Sequence, residues 1–472
     1  MDRLDDEGDD RSQPMAHGPA EDGSTVNPAV PSTERSRRPA PPTRDAQPAR
    51  SGELWETVFS RNNVLRALQR VESNRGAPRV DGMTVSELRP WLRLHWKDIR
   101  RALDAGTYRP SPVRRVTIPK PDGGERELGV PTALDRLIQQ AIAQALTPIF
   151  DPEFSPHSYG FRPGRNAHQA VRAARAFVVE GYTWVVDVDL ERFFDRVQHD
   201  VVMARVARKV DDRQLLRLIR RYLDAGVMVE GVKQASVEGT PQGSPLSPLL
   251  ANIMLDDLDR ELERRGHRFV RYADDVRVHV KTERAGQRVL TGITEFVRRR
   301  LKLQVNKAKS SVRHAARALV LGFGFYLHKG VAIRVAPKAL RRMRERVRVL
   351  TRRSWRIAMP ERMVRLNRFV TGWCAYFALA ETGSTFEEAD QWLRRRLRQV
   401  RWKEWKRPRA RFRNLLALGI PQQKAREWAG SGIGCWRMAG SPPLSRALSN
   451  AYWVHLGLSG FYSQWRRLRQ TW

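Results

Sequence analysis

Phe269-Val270-Arg271-Tyr272-Ala273-Asp274-Asp275-Val276-Arg277-Val278-His279-Val280 is the stretch on which the fold of this 472-residue chain turns. Its apolar start and the alternating run after Asp275 have the period of two β-strands around a short turn. Two adjacent carboxylates at such a tip repel, and a purely structural turn is better served by Asn-Gly or Asp-Gly. A hard divalent cation removes the penalty, because Mg2+ is held by one or two carboxylates and keeps positions open for substrate phosphates. The alternative is a solvated hairpin loop that carries two aspartates.

Upstream, Trp184-Val185-Val186-Asp187-Val188-Asp189-Leu190-Glu191-Arg192-Phe193-Phe194-Asp195 reads as a buried, valine-rich strand running into a loop or helix start. Asp189 stands where that strand ends. One carboxylate at a strand end and two on a hairpin make the framework for two-metal phosphoryl transfer, with one ion activating a primer 3′-hydroxyl and the other neutralising the leaving pyrophosphate. Asp187, on the same face, and Asp195 compete for the position. Asp189 is preferred because Phe194, five residues later, falls where a bulky ring is expected to lie under the nucleotide sugar and reject a 2′-hydroxyl.

Other blocks stand in a fixed order around these two: Asp81-Gly82-Met83-Thr84, Ile118-Pro119-Lys120-Pro121, Arg126-Glu127-Leu128-Gly129-Val130-Pro131 and Tyr159-Gly160-Phe161-Arg162-Pro163-Gly164-Arg165 before and between them, then Thr240-Pro241-Gln242-Gly243-Ser244-Pro245-Leu246-Ser247-Pro248-Leu249, and last Asn306-Lys307-Ala308-Lys309. The ordered set, from about Asn74 to about Gly419, resembles the reverse transcriptases encoded by bacterial group II introns, the maturase type. The resemblance implies an α+β right-hand polymerase, fingers and palm, followed by an α-helical thumb or maturase (X) domain. It places Asp189, Asp274 and Asp275 as catalytic metal ligands for two Mg2+ ions, with Mn2+ as the alternative. It places Lys120, Arg126, Phe194, Gln242 and Lys309 around the dNTP, and Arg162, Arg165, Tyr272, Arg394, Arg395, Arg396 and Arg398 on nucleic acid.

Physical readings accompany these assignments. Lys120 and Arg126 flank the turn signal Asp122-Gly123-Gly124, so a hairpin holds two cations together, although ordinary exposed charge reads the same way. Gly243 permits close backbone approach beside the Gln242 amide, in a proline-rich loop before a helix holding Leu249, Leu250, Ile253 and Met254. The resemblance implies that Lys309 is a general acid near the leaving pyrophosphate, whereas by itself a lone lysine after a helix reads as a solvated cap. Arg79 stands where the family usually has glycine and Glu127 where proline is common, which touches only the local loops.

The chain holds 86 Lys and Arg against 51 Asp and Glu, a formal charge of +35. Residues 1–50 contain ten acidic and seven basic residues, so the excess lies wholly beyond them, and it suits a phosphate backbone. Residues 1–52, rich in Asp, Pro, Ser and Ala, are expected to be a disordered tail. Helical spacing of Val58, Val64, Leu65, Leu68 and Val71 leads into mixed strands and helices, so 53–330 is taken as fingers and palm. Residues 331–420 carry 24 basic and seven acidic residues, with Leu340, Met343, Val347 and Leu350 at helical spacing. Leu366-Asn367, Gly372-Trp373, Tyr376-Phe377 and the run Trp392 to Arg398 resemble the X domain. Trp373, Tyr376 and Phe377 read first as helix-core packing, and the arginine run as RNA phosphate contact rather than a solvated face. Residues 421–472 form a basic helical appendage with Trp428, Trp436, Trp453, Trp465 and Trp472, either stacking on nucleic acid or buried on the thumb.

Cys374 and Cys435 alone give no paired-cysteine zinc framework and none of the HNH endonuclease that many such proteins carry. His157, His168, His199 and His279 show no ligand spacing. His199 reads as a cap or packing residue and His279 as lying on the polar side of its strand. With no apolar span and no signal pattern, a cytoplasmic protein without membrane partners is expected. The expected activity is RNA-dependent DNA polymerisation with splicing of intron RNA, in support of retrohoming. Its expected partners are group II intron RNA, an RNA template with a DNA primer, dNTPs and target DNA. The alternative is an RNA-binding splicing cofactor, or a domesticated defence or repair reverse transcriptase.

Overall fold

A computed structural model describes residues 52–74, 83–119, 125–225, 227–229, 232–234, 239 and 243–470, with backbone only at 126–127, 227–229 and 232–234. The acidic tail to residue 51, Asp81-Gly82, Lys120, Gln242, Trp472 and the Arg126 side chain lie outside the described residues. The strands are β1 (Val113–Pro119), β2 (Glu125–Val130), β3 (Trp184–Val188), β4 (Val227–Val229), β5 (Val232–Gln234), β6 (Arg268–Tyr272), β7 (Asp275–Val280), β8 (Ser311–His314), β9 (Leu319–Val320), β10 (Phe323–Tyr326) and β11 (Ala332–Val335). They form three sheets, β2-β1-β4-β5, β6-β7-β3-β8 and β11-β10-β9. The first contains the expected hairpin, with β1 and β2 antiparallel from Arg114↔Val130 to Pro119↔Glu125.

The sheet β6-β7-β3-β8 is antiparallel throughout and covered on both faces. Val186 and Val188 of β3, with Val276 and Val278 of β7, join one core with helices Ala133–Phe150 and Ser247–Arg264. That second helix carries Leu249, Leu250, Ile253 and Met254 buried, as its apolar spacing requires, and Pro248 suits its first turn. Because side chains alternate, Val185 faces the opposite way, into a second core under helix Ala167–Val179. Asp187, Asp275, Arg277 and His279 share that face by register.

In the N-terminal helices Glu53–Phe59 and Arg61–Ser73, Val58, Leu68 and Val71 are buried, while Leu65 turns outward. From Pro337 the chain is helical. Met343, Val347 and Leu350 of helix Pro337–Leu350 are buried, as are Leu366 and Cys374 of Met359–Tyr376 and Leu393 and Leu397 of Gly383–Glu404. Trp373 packs on Phe377, Phe386 and Phe461 at ring distances of 4.7, 5.6 and 5.4 Å, so core packing is its role here. The last helix, Phe461–Gln470, completes this core. The Asp390 carboxylate accepts from the N–H groups of Phe461 and Tyr462 at 2.6 and 3.1 Å, satisfying orphan donors at its N-terminus. Trp453 and Trp465 are buried, whereas Trp436 is partly exposed. Among the described residues no helix is long and apolar enough to cross a membrane.

His279 does not lie on a polar face. Helix Ala167–Val179 covers it, with the Phe177 ring 5.6 Å away, and burial pushes its imidazole from 6.5 down to about 4. Between those values the unfolded chain takes a proton that the folded chain refuses, so stability falls as pH falls through this window. Urea unfolding at pH 7 and pH 4.5 is expected to show His279→Leu removing about 2–3 kcal/mol of the acid loss, and an unchanged loss would contradict the assignment.

Candidate active site

The β6–β7 connection closes on the pair Tyr272↔Asp275, leaving Ala273 and Asp274 as the turn. Ala273 has φ 58°, a left-handed conformation that a side chain disfavours, so the surroundings must impose it. Arg271, with no exposed surface, imposes it from below. Its Nη1 donates to the Ala273 carbonyl at 3.0 Å and to Asn252 Oδ1 at 2.9 Å. Its Nε and Nη2 donate to the equally buried Asp259 carboxylate at 2.8 and 2.5 Å. Burial pushes the Asp259 carboxyl upward, and the guanidinium opposes that shift. Asn252 Nδ2 donates in turn to the Gly160 carbonyl at 3.0 Å. Gly160 lies so near the turn that a Cβ there would stand 2.2 Å from the Ala273 nitrogen. Two backbone bonds, Tyr159 N–H to Arg271 O and Arg271 N–H to His157 O, both 2.9 Å, fasten the same segment to the β6 edge.

β3 meets β7 with Asp187↔Arg277 and Val188↔Val276 as its last pairs before Asp189. One further step of this register sets Asp189 opposite Asp275, on the face that holds Asp187. The Asp189 backbone is clamped: its N–H donates to Ser310 Oγ at 3.0 Å, and its carbonyl accepts from Asn306 N–H at 2.8 Å. The Asn306-Lys307-Ala308-Lys309 turn therefore sits beside Asp189, with the Lys309 side chain exposed. Burial raises the Asp187 carboxyl; Arg277 lowers it, while Asp275 and Asp189 raise it further, so these charges lie within one another's field. From helix Met359–Tyr376, Tyr376 reaches this cluster. Burial first, then Tyr272 and Asp275, push its hydroxyl up to about 12. The Tyr376 hydroxyl donates to the Leu321 carbonyl at 2.9 Å.

Phe194 is buried, with its ring edge-on to Phe193 at 5.1 Å, in a short 3-10 turn that follows Arg192 at φ 46°. A Cβ on Gly239 would lie 3.2 Å from the Phe194 carbonyl, and His199 holds the Gly239 carbonyl at 2.8 Å. Gly243 stands by the Gly129 carbonyl of β2. Gly239 thus lies beside Phe194 and Gly243 beside β2.

Several expected nucleic-acid contacts are placed otherwise. Arg162 is buried: Nε pairs with Asp151 at 2.7 Å, Nη1 donates to the Ser155 and Ser158 carbonyls at 2.6 and 3.0 Å, and Nη2 to the Asp151 carbonyl at 2.7 Å. It ties together the preceding segment from Asp151 to Ser158, whose carbonyls at Asp151, Ser155 and Ser158 it satisfies. Arg395 stacks on Trp436 at 4.0 Å, Arg396 donates to Thr351 Oγ1 at 3.1 Å and Arg398 to the Ala439 carbonyl at 2.9 Å. Burial lowers the Arg396 and Arg398 pKa values, and all four arginines of the run are half-exposed. Arg165 is exposed over the Tyr159 ring at 5.6 Å, and Tyr272 is half-buried.

Among the described residues no three His, Cys, Asp or Glu side chains are gathered closely enough to enclose a metal ion. The arrangement is instead two opposed carboxylates with a third on the turn. That all-oxygen set fits Mg2+ when phosphates and water complete its shell. Arg271, Asn252, Asp259 and Gly160 were not singled out from sequence as site residues. Their signal was there: an arginine inside a Phe-Val strand, and Asn252 and Asp259 seven apart on one face of an apolar helix.

Residues 118–325 match the family described as reverse transcriptase (RNA-dependent DNA polymerase), and residues 340–419 the group II intron, maturase-specific domain. Protein YkfC of Escherichia coli (strain K12) is 40% identical over 199 residues, 41% of this chain and 52% of that protein. Group II intron-encoded protein LtrA of Lactococcus lactis subsp. cremoris is 28% identical over 342 residues, 58% of this chain and 57% of that protein. The chain thus spans about half the length of these relatives. Among solved structures, a partial Cas6-RT-Cas1–Cas2 complex is 25% identical with a TM-score of 0.34, covering 52% of this chain and 42% of that one, too slight a likeness to bear on the fold.

Removing one partner of the buried pair should cost more than removing both. Asp259→Leu is expected to destabilise the protein by about 3–5 kcal/mol and the double variant Asp259→Leu, Arg271→Met by clearly less, in urea unfolding. Equal losses would remove the pair from its supporting role.

Proposed function

This chain belongs to the reverse transcriptases encoded by group II introns, carrying a reverse-transcriptase domain joined to a maturase-specific domain, and we propose that it copies RNA into DNA and binds intron RNA to promote splicing. The observation that carries the proposal is the β3–β7 register, which opposes Asp189 to Asp275 beside the Asp274 turn. In this reading β6-β7-β3-β8 is the palm, β2-β1-β4-β5 the fingers, and the helices from Pro337 the thumb and maturase domain.

Asp189, Asp274 and Asp275 would hold divalent cations, Mg2+ or Mn2+. Bound there, two such ions would activate the primer 3′-hydroxyl and neutralise the leaving pyrophosphate. The Asp189 backbone is held by Ser310 and Asn306, and the turn before Asp275 by the Arg271 network, so the backbone positions that carry the carboxylates are set in advance. Lys120 and Arg126 would meet the triphosphate, Phe194 and Gln242 the sugar, and Lys309, beside the Asp189 segment, the leaving group. The net +35 charge favours polyanionic partners: template with primer, intron RNA and target DNA.

Primer extension on an RNA template tests the reading. Asp275→Asn is expected to bring extension to background while RNA affinity in filter binding stays near wild type; surviving extension would remove the metal-site assignment. Gly160→Ala, whose new Cβ would displace the Ala273 backbone, is expected to slow extension about 100-fold with primer-template affinity unchanged.

A further inference from the structure

The β3–β7 register places Arg277 on the face shared by Asp187, Asp189 and Asp275, where Arg313 of β8, opposite Val185, adds a second positive charge felt by Asp187. The Arg277 side chain is 11% exposed. Nε donates to the Leu319 carbonyl at 2.9 Å, which fixes the plane of the guanidinium. Nη2 then lies 3.5 Å from Asp187 Oδ1 and Nη1 3.6 Å from Asp275 Oδ2. These are ion-pair distances longer than hydrogen bonds, so a neutral carbonyl sets the position and the carboxylates answer only to its charge. Asp275 is 49% exposed and can turn toward another cation without disturbing that anchor. An arginine between Val276 and Val278, buried on its strand, costs desolvation that the Leu319 carbonyl offsets in part and nearby negative charge offsets further.

We propose that Arg277 is a built-in counter-ion of the carboxylate cluster, holding Asp187 and Asp275 on its own charge and competing with divalent cations for them. The proposal rests on the reading of Asp189, Asp274 and Asp275 as the cation-binding set. Arg277 suppresses the repulsion among the carboxylates, which keeps the cluster assembled. It also subtracts from the attraction felt by an incoming ion, so the site fills at a higher free cation concentration than its carboxylates alone would set.

Mn2+ titration of the full chain without nucleic acid, followed by the EPR signal of free Mn2+, reads this directly. Arg277→Gln is expected to tighten Mn2+ binding about tenfold, and to lower the melting temperature more in EDTA than in millimolar Mg2+. Asp187→Asn, which leaves Arg277 to Asp275 alone, is expected to weaken binding about tenfold, and the double variant to return it to near wild type. Should Arg277→Gln fail to fold, Asp187→Asn still decides, since wild-type affinity in that variant contradicts the proposal. Mn2+ binding by the wild type that neither substitution changes overturns the counter-ion role alone. No binding by any variant or the wild type overturns it together with the cation-site reading.

Discussion

A guanidinium with no exposed surface, paired with a carboxylate that has none, lies one turn of backbone beneath Asp274 and Asp275. A buried pair of this kind is weak evidence for stability, since well-packed apolar residues often serve as well. What Arg271 and Asp259 provide is direction. The N–H donors of the fixed Arg271 fork reach Asp259, Asn252 and the Ala273 carbonyl, and so join helix Ser247–Arg264, strand β6 and the Gly160 segment at one point. The left-handed Ala273 is tolerable only because these partners over-determine it.

The same sheet explains why charge collects at one end. One face of β3 and β7 is valine against the first core, while the other passes from Val185 and His279, covered by helix Ala167–Val179, to Arg277 and Asp187 and then to Asp275 and Asp189. Polarity rises along the strands as the covering helix ends. Buried His279 has to stay neutral, half-exposed Asp187 is balanced by Arg277, and the outermost carboxylates meet solvent. Tyr376 joins the C-terminal helices to this edge through the Leu321 carbonyl, and His168 Nε2 meets the Tyr376 carbonyl at 2.6 Å, so the two cores share the cluster as a boundary.

The large basic excess divides into two uses. Arg162, Arg362 and Arg396 act as internal cross-links, each directing N–H groups to carbonyls or a hydroxyl of loops and helix ends, where the long apolar stem also packs. Arg341, Arg344, Arg346 and Arg348 of helix Pro337–Leu350 instead line an exposed face opposite Met343 and Val347. Composition cannot separate these uses, because both need the same side chain.

Local pattern by itself determined much of this protein. The alternation around Asp274-Asp275, the valine strand ending at Asp189 and the apolar spacing of Leu249, Leu250, Ile253 and Met254 define strands and a helix through nearest-neighbour physics alone. Asn306 to Lys309 could be assigned near the site from the order of the blocks. Register was different, since only pairing β3 with β7 sets Asp189 across from Asp275 and Arg277 across from Asp187. Whether an arginine binds phosphate or satisfies a carbonyl, and whether His279 meets water or Phe177, also depends on what covers a face. Coverage comes from elements distant in the chain, and the energy of burying a charge or an imidazole has no signature in the residues beside it. The chemistry was therefore written locally, while its neighbours and its support were decided by the way two cores close around one sheet.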